Sequence, residues 1–94
     1  MQASLLRLLV ATERPCYLYR LHDEEGNLLY VGIAFFFGQR MRQHERRAPW
    51  WRSVSCVELR RYDTRSEAED AERTAIRTER PEHNVRYAAP YLDR

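Results

Sequence analysis

The sequence predicts an α+β domain of the α/β sandwich type, in which a small three-stranded antiparallel sheet is flanked by helices. Two segments rich in Tyr, Leu and Val are separated by a turn signal, which is the pattern of a β-hairpin. A third strand-like segment follows, and after it an amphipathic segment that begins with a helix-capping pattern. With 94 residues the chain has room for one domain, and we assign residues 1–94 to it.

Composition and cysteine usage are those of a globular protein. Apolar residues make up 44% of the chain, and the small number of Gly and Pro gives no sign of disorder. Cys16 and Cys56 are far apart and have no metal-ligand spacing, so we predict neither a disulfide nor a zinc site. The apolar run near the start is interrupted by Arg7, which argues against a signal peptide, and it is too short to span a membrane. We therefore expect a reduced, cytoplasmic chain with no membrane partner.

The charged residues are unevenly distributed. Five arginines lie between residues 40 and 52 against one acid, Glu45, whereas residues 67–72 hold four acids and no base. The five are Arg40, Arg42, Arg46, Arg47 and Arg52. This layout is expected of a protein that binds a phosphate backbone and also holds a divalent cation. Two ordinary solvated helix faces would give the same pattern, so charge alone leaves both interpretations open.

The first predicted elements are a helix and the hairpin. Leucines at positions 5, 6, 8 and 9 predict a short amphipathic helix over residues 3–12, which Pro15 prevents from continuing. The hairpin strands are predicted at residues 16–23 and 27–33, with the turn at residues 24–27. Side chains two residues apart share one face of a strand. The pairs that share a face are Tyr17 with Tyr19 and Tyr30 with Gly32.

A basic helix is predicted at residues 39–47, where it ends before a proline. Arg40 and His44 are four residues apart and share a helix face, so we expect both to point towards the end of the second strand. The aromatic residues on either side of this helix, Phe35–Phe37 and Trp50–Trp51, have two interpretations. They are either core residues or an exposed apolar surface, on which the tryptophans would stack against bases.

A third strand is predicted at residues 54–59 and a final helix at residues 64–79, where the sequence T-R-S-E matches a capping box. The apolar stripe of this helix consists of Ala68, Ala71, Ala75 and Ile76. Glu72 falls inside the stripe, and a buried carboxylate is costly unless a cation, a metal or strong hydrogen bonds compensate it. Glu72 therefore either meets such a partner or lies at the stripe edge beside Arg73 or Arg77.

Taken in order, these residues resemble the GIY-YIG nuclease family. The set comprises Tyr17-Leu18-Tyr19, ten intervening residues, Tyr30-Val31-Gly32, Arg40, His44, Glu72, Pro81 and Asn84. The resemblance covers residues 16–84, and its specificity lies in the order and the spacings rather than in any single piece. Two features depart from the family pattern: Tyr17 replaces the first glycine, and the connection from Ala34 through residues 35–37 is unusually apolar.

The resemblance implies a metal-dependent DNA endonuclease that hydrolyses phosphodiester bonds with one bound metal ion. The catalytic residues it implies are Tyr19, Tyr30, Arg40, His44 and Glu72. Glu72 would hold Mg²⁺ or Mn²⁺, Arg40 would neutralise the phosphate, and Tyr19 would be the general base, although which tyrosine is the base stays open. Contacts with the substrate are expected from Tyr17, Arg42, Arg47 and Asn84. The implied partner is DNA, and a homodimer or a larger DNA-processing complex stays open.

Two other interpretations stay open. The chain could be a nucleic-acid-binding module without turnover, or an interaction subunit of a DNA repair or defence complex that docks through its exposed aromatic residues. A module that only binds has no need for an inward carboxylate, so Glu72 favours the enzyme. No chemistry is predicted for the tail at residues 85–94.

Overall fold

The computed structural model describes residues 14–84, which form three strands, two α-helices and one 3₁₀ turn. In chain order these are β1 (Cys16–His22), β2 (Leu28–Ala34), α1 (Phe37–Arg47), the 3₁₀ turn (Pro49–Ser53), β3 (Cys56–Tyr62) and α2 (Arg65–Glu79). The predicted helix at residues 3–12 and the tail at residues 85–94 lie outside the described residues.

The three strands form one antiparallel sheet in the order β2-β1-β3, which confirms the predicted fold class. The hairpin turn between β1 and β2 is held by Asp23, whose carboxylate Oδ1 accepts the backbone N–H groups of Glu25 and Asn27. Gly26 in this turn has φ +85°, a conformation that glycine adopts without the steric cost of a Cβ atom. The turn that the sequence predicted is therefore stabilised by the Asp23 side chain and by the positive φ of Gly26.

Each face of the sheet carries its own cluster of apolar residues. The cluster on the α2 face comprises Cys16, Leu18, Val31, Ile33, Ala68, Ala75 and Ile76. The cluster on the other face comprises Tyr19, Leu21 and Ala34, and packed against it are Tyr30, Phe37, Met41, Trp50, Trp51 and Val54. Alternate residues of β1 enter opposite clusters, as the twofold period of a strand requires. Helix α2 thus packs on one face of the sheet and α1 with the 3₁₀ turn on the other, whereas six of the seven residues of β3 are exposed.

Two predicted elements have boundaries that are wrong by two residues or more. The third strand was predicted at residues 54–59 but spans Cys56–Tyr62, because the N–H of Val54 bonds to Trp51 and closes the 3₁₀ turn. Helix α1 begins at Phe37 rather than at residue 39, because its first turn is closed by a bond from the Arg40 N–H to the Phe36 carbonyl. In both cases apolar aromatic residues that looked like connecting loop form helical turns instead.

Helix α2 is fixed at both ends. The Thr64 hydroxyl accepts the N–H of Glu67 at 3.2 Å, which confirms the predicted N-cap. Near the other end, Glu79 receives two hydrogen bonds from the Arg20 guanidinium on β1, at 2.8 and 2.7 Å. Arg80 then takes a left-handed conformation with φ 52°, and the chain turns back towards the sheet. Neither helix in residues 14–84 is long and apolar enough to cross a membrane.

After this turn, the chain runs along the outer side of β2. The N–H groups of Glu82 and His83 bond to the carbonyls of Leu28 and Leu29, at 3.1 and 2.9 Å. The Asn84 amide continues the pattern on Val31. Residues 82–84 therefore satisfy backbone groups that an edge strand would otherwise leave to solvent.

Candidate active site

The centre of the candidate site is the Tyr19 hydroxyl, which lies 2.8 Å from Nε2 of His44. Tyr19 comes from the central strand and exposes none of its surface, whereas His44 comes from the second half of α1. Burial, followed by the Arg40 charge, lowers the pKa of His44. Burial, followed by the neighbouring Tyr30, raises the pKa of Tyr19. At neutral pH both groups are therefore uncharged, and the tautomer of the His44 imidazole sets which of the two donates in this hydrogen bond.

Gly32 makes room for this pair. It lies opposite Tyr19 in the register of β1 and β2, directly beneath the phenol ring. A Cβ atom built on Gly32 would lie 2.6 Å from Cζ of Tyr19 and 3.0 Å from Cε2 of Tyr30, both closer than van der Waals contact allows. The glycine of the second motif is thus required by the close approach of a tyrosine and not by an unusual backbone angle.

Arg40 reaches from α1 to the end of β2, as the sequence predicted. Its Nη1 donates to the Ile33 carbonyl at 3.2 Å. Its guanidinium also bonds to Tyr19 and opposes the rise in that residue's pKa, although burial and Tyr30 outweigh it. Arg40 is half-buried, and it brings a fixed positive charge next to the Tyr19–His44 pair.

Glu72 lies on α2, on the opposite side of the sheet, but its charge acts on Tyr19. After burial, Tyr30 and Arg40, its charge is a further influence on the pKa of Tyr19, which it helps to raise. It also acts on Cys16, at the start of β1, where burial is the main cause of the raised pKa. The side chain is half-buried, and Arg73 donates to Asp70 at 2.8 Å. A carboxylate on the α2 stripe thus acts on the hydroxyl across the sheet.

Glu72 is the candidate carboxylate ligand for a divalent cation. Among residues 14–84 no three His, Cys, Asp or Glu side chains converge to hold a metal ion, so a closed protein cage is absent from that part of the chain. Mg²⁺ keeps several water ligands and is commonly held by one or two carboxylates together with substrate phosphates. Glu72, half-buried and within electrostatic reach of Tyr19, fits that mode of binding.

Aromatic rings extend from the site towards the chain segment that borders β2. The ring of Tyr30 stacks on Tyr19 with centroids 6.1 Å apart, and on Trp50 with centroids 5.1 Å apart. Trp50 in turn stacks on His83, at 5.4 Å and an interplanar angle of 13°. His44 packs against Tyr30 with its ring nearly perpendicular, at 4.8 Å. We call the four rings Tyr19, Tyr30, Trp50 and His83 the aromatic series.

The two interpretations of the aromatic residues around α1 can now be separated. Phe37 packs edge-on against Tyr19 at 5.8 Å, and Phe35 packs against the α2 cluster on the other face. Phe36 is 57% exposed, with the Arg14 guanidinium 5.2 Å above its ring. Trp50 and Trp51 both pack against the Tyr19 cluster. Four of the five aromatics are therefore partly buried against a core cluster, and Phe36 alone of these five is exposed.

The structure brings most of the predicted site residues together. Tyr19, Tyr30 and His44 contact one another, Arg40 interacts with Tyr19, and Glu72 acts on Tyr19 through its charge. Tyr17 is half-buried on the Tyr19 face of β1, and Arg42 and Arg47 are exposed on α1. Their contacts with substrate stay predictions.

Asn84 has a position that the motif did not indicate. Its amide Oδ1 accepts the Val31 N–H and its Nδ2 donates to the Val31 carbonyl, both at 2.9 Å. Both ends of the side chain are thus used by the strand that carries Tyr30. His83 was not singled out in the sequence, because its place beside Trp50 depends on the turn that follows α2, and no local pattern marks it.

Comparison with known proteins agrees with this geometry. A search of curated protein sequences returns no significant match. Residues 15–87 match the GIY-YIG catalytic domain family, and this range contains every residue of the site described above. The chain therefore belongs to the GIY-YIG family, whose members are nucleases that act on DNA and generally use divalent metal ions.

Proposed function

We propose that this protein is a metal-dependent endonuclease that hydrolyses DNA phosphodiester bonds with one bound Mg²⁺ or Mn²⁺. The observation that supports it best is the neutral Tyr19–His44 pair beside the fixed charge of Arg40, with the Glu72 carboxylate in electrostatic reach. Hydrolysis of a phosphodiester needs a water that loses a proton, a positive charge on the phosphate and a stabilised leaving oxygen. The site offers a group for each requirement.

Tyr19 and His44 together form the base. With its pKa raised, Tyr19 does not ionise at neutral pH by itself, so it needs a partner that takes its proton. His44 is such a partner in the tautomer that carries its hydrogen on Nδ1, because Nε2 then accepts the phenol hydrogen bond. As the attacking water gives a proton to the Tyr19 oxygen, the phenolic proton moves to His44, and hydroxide attacks the phosphorus. Tyr30 keeps both rings in place through its contacts.

Arg40 is one of the side chains next to the Tyr19 hydroxyl. Tyr19 has no exposed surface in the free protein, so water reaches its hydroxyl only when a neighbouring side chain moves. A phosphate is a stronger partner for a guanidinium than the neutral carbonyl of Ile33, because its charge assists two parallel hydrogen bonds. We expect a bound phosphate to draw Arg40 outward, which neutralises the phosphate and exposes the base in one motion.

Glu72 is the residue that would hold the metal ion. When bound, the ion supplies positive charge for the phosphate oxygens and the leaving 3′ oxygen. The exposed Arg42 and Arg47 would contact backbone phosphates on either side of the site, with Tyr17 at its border. Asn84 would contribute by fixing the strand of Tyr30, since its amide is engaged by Val31.

The test is nicking of supercoiled plasmid in Mg²⁺ or Mn²⁺ by the wild type, Arg40→Ala and Glu72→Gln. We expect metal-dependent nicking by the wild type and a loss of about a hundredfold or more in each variant. Glu67→Gln is the matched control, because it removes an exposed carboxylate from the first turn of the same helix and should nick at the wild-type rate. Circular dichroism checks that all four proteins are folded.

Two results would contradict the proposal. The first is a folded wild type that binds plasmid, branched and single-stranded DNA but cuts none of them with either metal, as a pure binding module would. The second is cleavage that Glu72→Gln and Glu67→Gln reduce equally, because that would remove any special role from Glu72.

A further inference from the structure

The aromatic series ends at His83, and that end is accessible. The His83 side chain is 36% exposed, whereas Trp50 before it already has two parallel ring partners, Tyr30 and His83. Trp50 is thus committed to packing and is not the ring that a ligand would meet first. A planar ligand that extends this series would meet His83.

His83 is held in place from two directions. Its backbone N–H bonds to the Leu29 carbonyl at 2.9 Å, and its ring lies nearly parallel to Trp50. The next residue, Asn84, is anchored to Val31 by both ends of its amide. A ring fixed in this way loses little further freedom when a ligand stacks on it, which favours binding.

The charge next to His83 favours a base over a phosphate. The Glu82 carboxylate lies 3.6 Å from Nε2 of His83, and its side chain is 61% exposed. A carboxylate at this distance repels a phosphate, but it has no such effect on the face of a neutral nucleobase. Stacking on an aromatic ring is also tolerant of sequence, because every base presents a π face.

We propose that the exposed part of the His83 ring stacks on an unpaired base of the DNA substrate. This proposal rests on the proposed nuclease function, because it takes DNA as the ligand, and it narrows the substrate to DNA with an unpaired nucleotide near the cleavage site. The aromatic series then connects that base to Tyr30 and Tyr19 of the active site. The exposed arginines of the last turn of α1 directly precede the 3₁₀ turn of Trp50, whose ring stacks on His83.

The experiment measures DNA binding in EDTA, so that neither metal nor cleavage affects the result. The probe is a gapped duplex that carries 2-aminopurine in its single-stranded gap, and the fluorescence of this base is quenched when it stacks. Wild type is compared with three variants, His83→Ala, His83→Phe and His83→Lys. A fully paired duplex of the same length is the matched DNA control, and thermal unfolding verifies that each variant is folded.

We expect wild type to quench the probe and His83→Ala to bind the gapped DNA about tenfold more weakly without quenching, because one base stack is lost. His83→Phe should restore both signals, and all four proteins should bind the paired duplex equally. Equal quenching by a folded His83→Ala would overturn the proposal. Restored binding of the gapped DNA by His83→Lys would also overturn the proposal, because a positive charge without a ring would then be sufficient for binding. Failure of the nuclease proposal is seen separately, in the nicking assay.

Discussion

At the scale of single residues, the site depends on Gly32, which leaves room for the ring of Tyr19. The phenol ring of Tyr19 lies where the side chain of residue 32 would be, and the same ring hydroxyl meets His44 from the other side. Tyr19 therefore has no room to retreat from a larger residue. Any atom added at position 32 must displace the ring or separate the two strands, since protein interiors are close-packed.

The first prediction concerns this contact. Gly32→Ala should lower the free energy of unfolding by about 1–3 kcal/mol through overpacking, and should abolish nicking because the Tyr19–His44 bond is displaced. Gly38→Ala is the matched control: nothing lies within 4 Å of its added Cβ, and it sits in α1. It should leave activity unchanged and raise stability by up to about 1 kcal/mol. Urea unfolding and plasmid nicking measure both, and a Gly32→Ala protein as active as wild type would refute the argument.

The second prediction concerns the pH dependence of stability. Burial and the Arg40 charge lower the pKa of His44 in the folded protein, whereas an unfolded histidine titrates near about pH 6.5. Between these two values the unfolded chain binds more protons, so the contribution of His44 to stability is complete above about pH 6.5 and falls as the pH drops towards the folded pKa. His44→Gln should remove the part of the stability loss at low pH that comes from His44. Urea unfolding of wild type and His44→Gln from about pH 8 to about pH 5 gives the free energy of unfolding against pH for each protein. Parallel curves for the two proteins would exclude the effect.

Which residues could be foreseen depends on how local their signal is. Arg40 and His44 were placed correctly because their spacing in one helix fixes a common face, and Thr64 because a capping box is contained in four residues. His83 could not be foreseen, because its contact with Trp50 joins segments 33 positions apart. The contact of Asn84 with Val31 could not be foreseen for the same reason, since the two residues are 53 positions apart.

At the scale of elements, the edge strand β2 depends on residues 82–84. Three consecutive residues supply hydrogen bonds to its outer side, and the last of them uses a side-chain amide in place of a backbone group. Because Tyr30 and Gly32 belong to this strand, a loose edge would also loosen the site. The predicted start of β3 was wrong because of a local contact. Val54 is a residue type favoured in strands, but its backbone N–H closes the 3₁₀ turn.

The third prediction tests the edge. Asn84→Ala leaves the Val31 N–H and carbonyl without their partner, which should cost about 1–3 kcal/mol and speed hydrogen exchange of the Val31 amide. Thr64→Ala is a useful comparison, since loss of the α2 cap should cost about 1 kcal/mol without affecting exchange at Val31. Hydrogen exchange followed by NMR separates the two. Unchanged exchange at Val31 in a folded Asn84→Ala protein would show that the amide does not hold the edge.

At the scale of the whole molecule, exposed arginines lie on both sides of the sheet, and those of α1 lie on the side of the Tyr19–His44 pair. The net charge is only +2, yet α1 presents exposed arginines on the face that also holds the site.

The fourth prediction concerns the salt dependence of DNA binding. Arg42→Gln and Arg47→Gln should each reduce the slope of log binding constant against log salt by about 0.9, since each removes one phosphate contact. Arg77→Gln, exposed on α2 across the sheet, should leave the slope unchanged. Equal slopes for all three variants would exclude α1 as the DNA-binding face.

The last prediction concerns how many strands are cut. Residues 14–84 contain one Tyr19–His44 pair, so under the proposed function this part of the chain offers one site for one phosphodiester. A double-strand break then requires two separate cuts or two copies of the chain. We expect nicked circular plasmid to accumulate first, at a rate proportional to protein concentration, with linear DNA appearing only later. Linear DNA formed without a nicked intermediate, at a rate rising with the square of concentration, would show instead that two copies act together on one duplex.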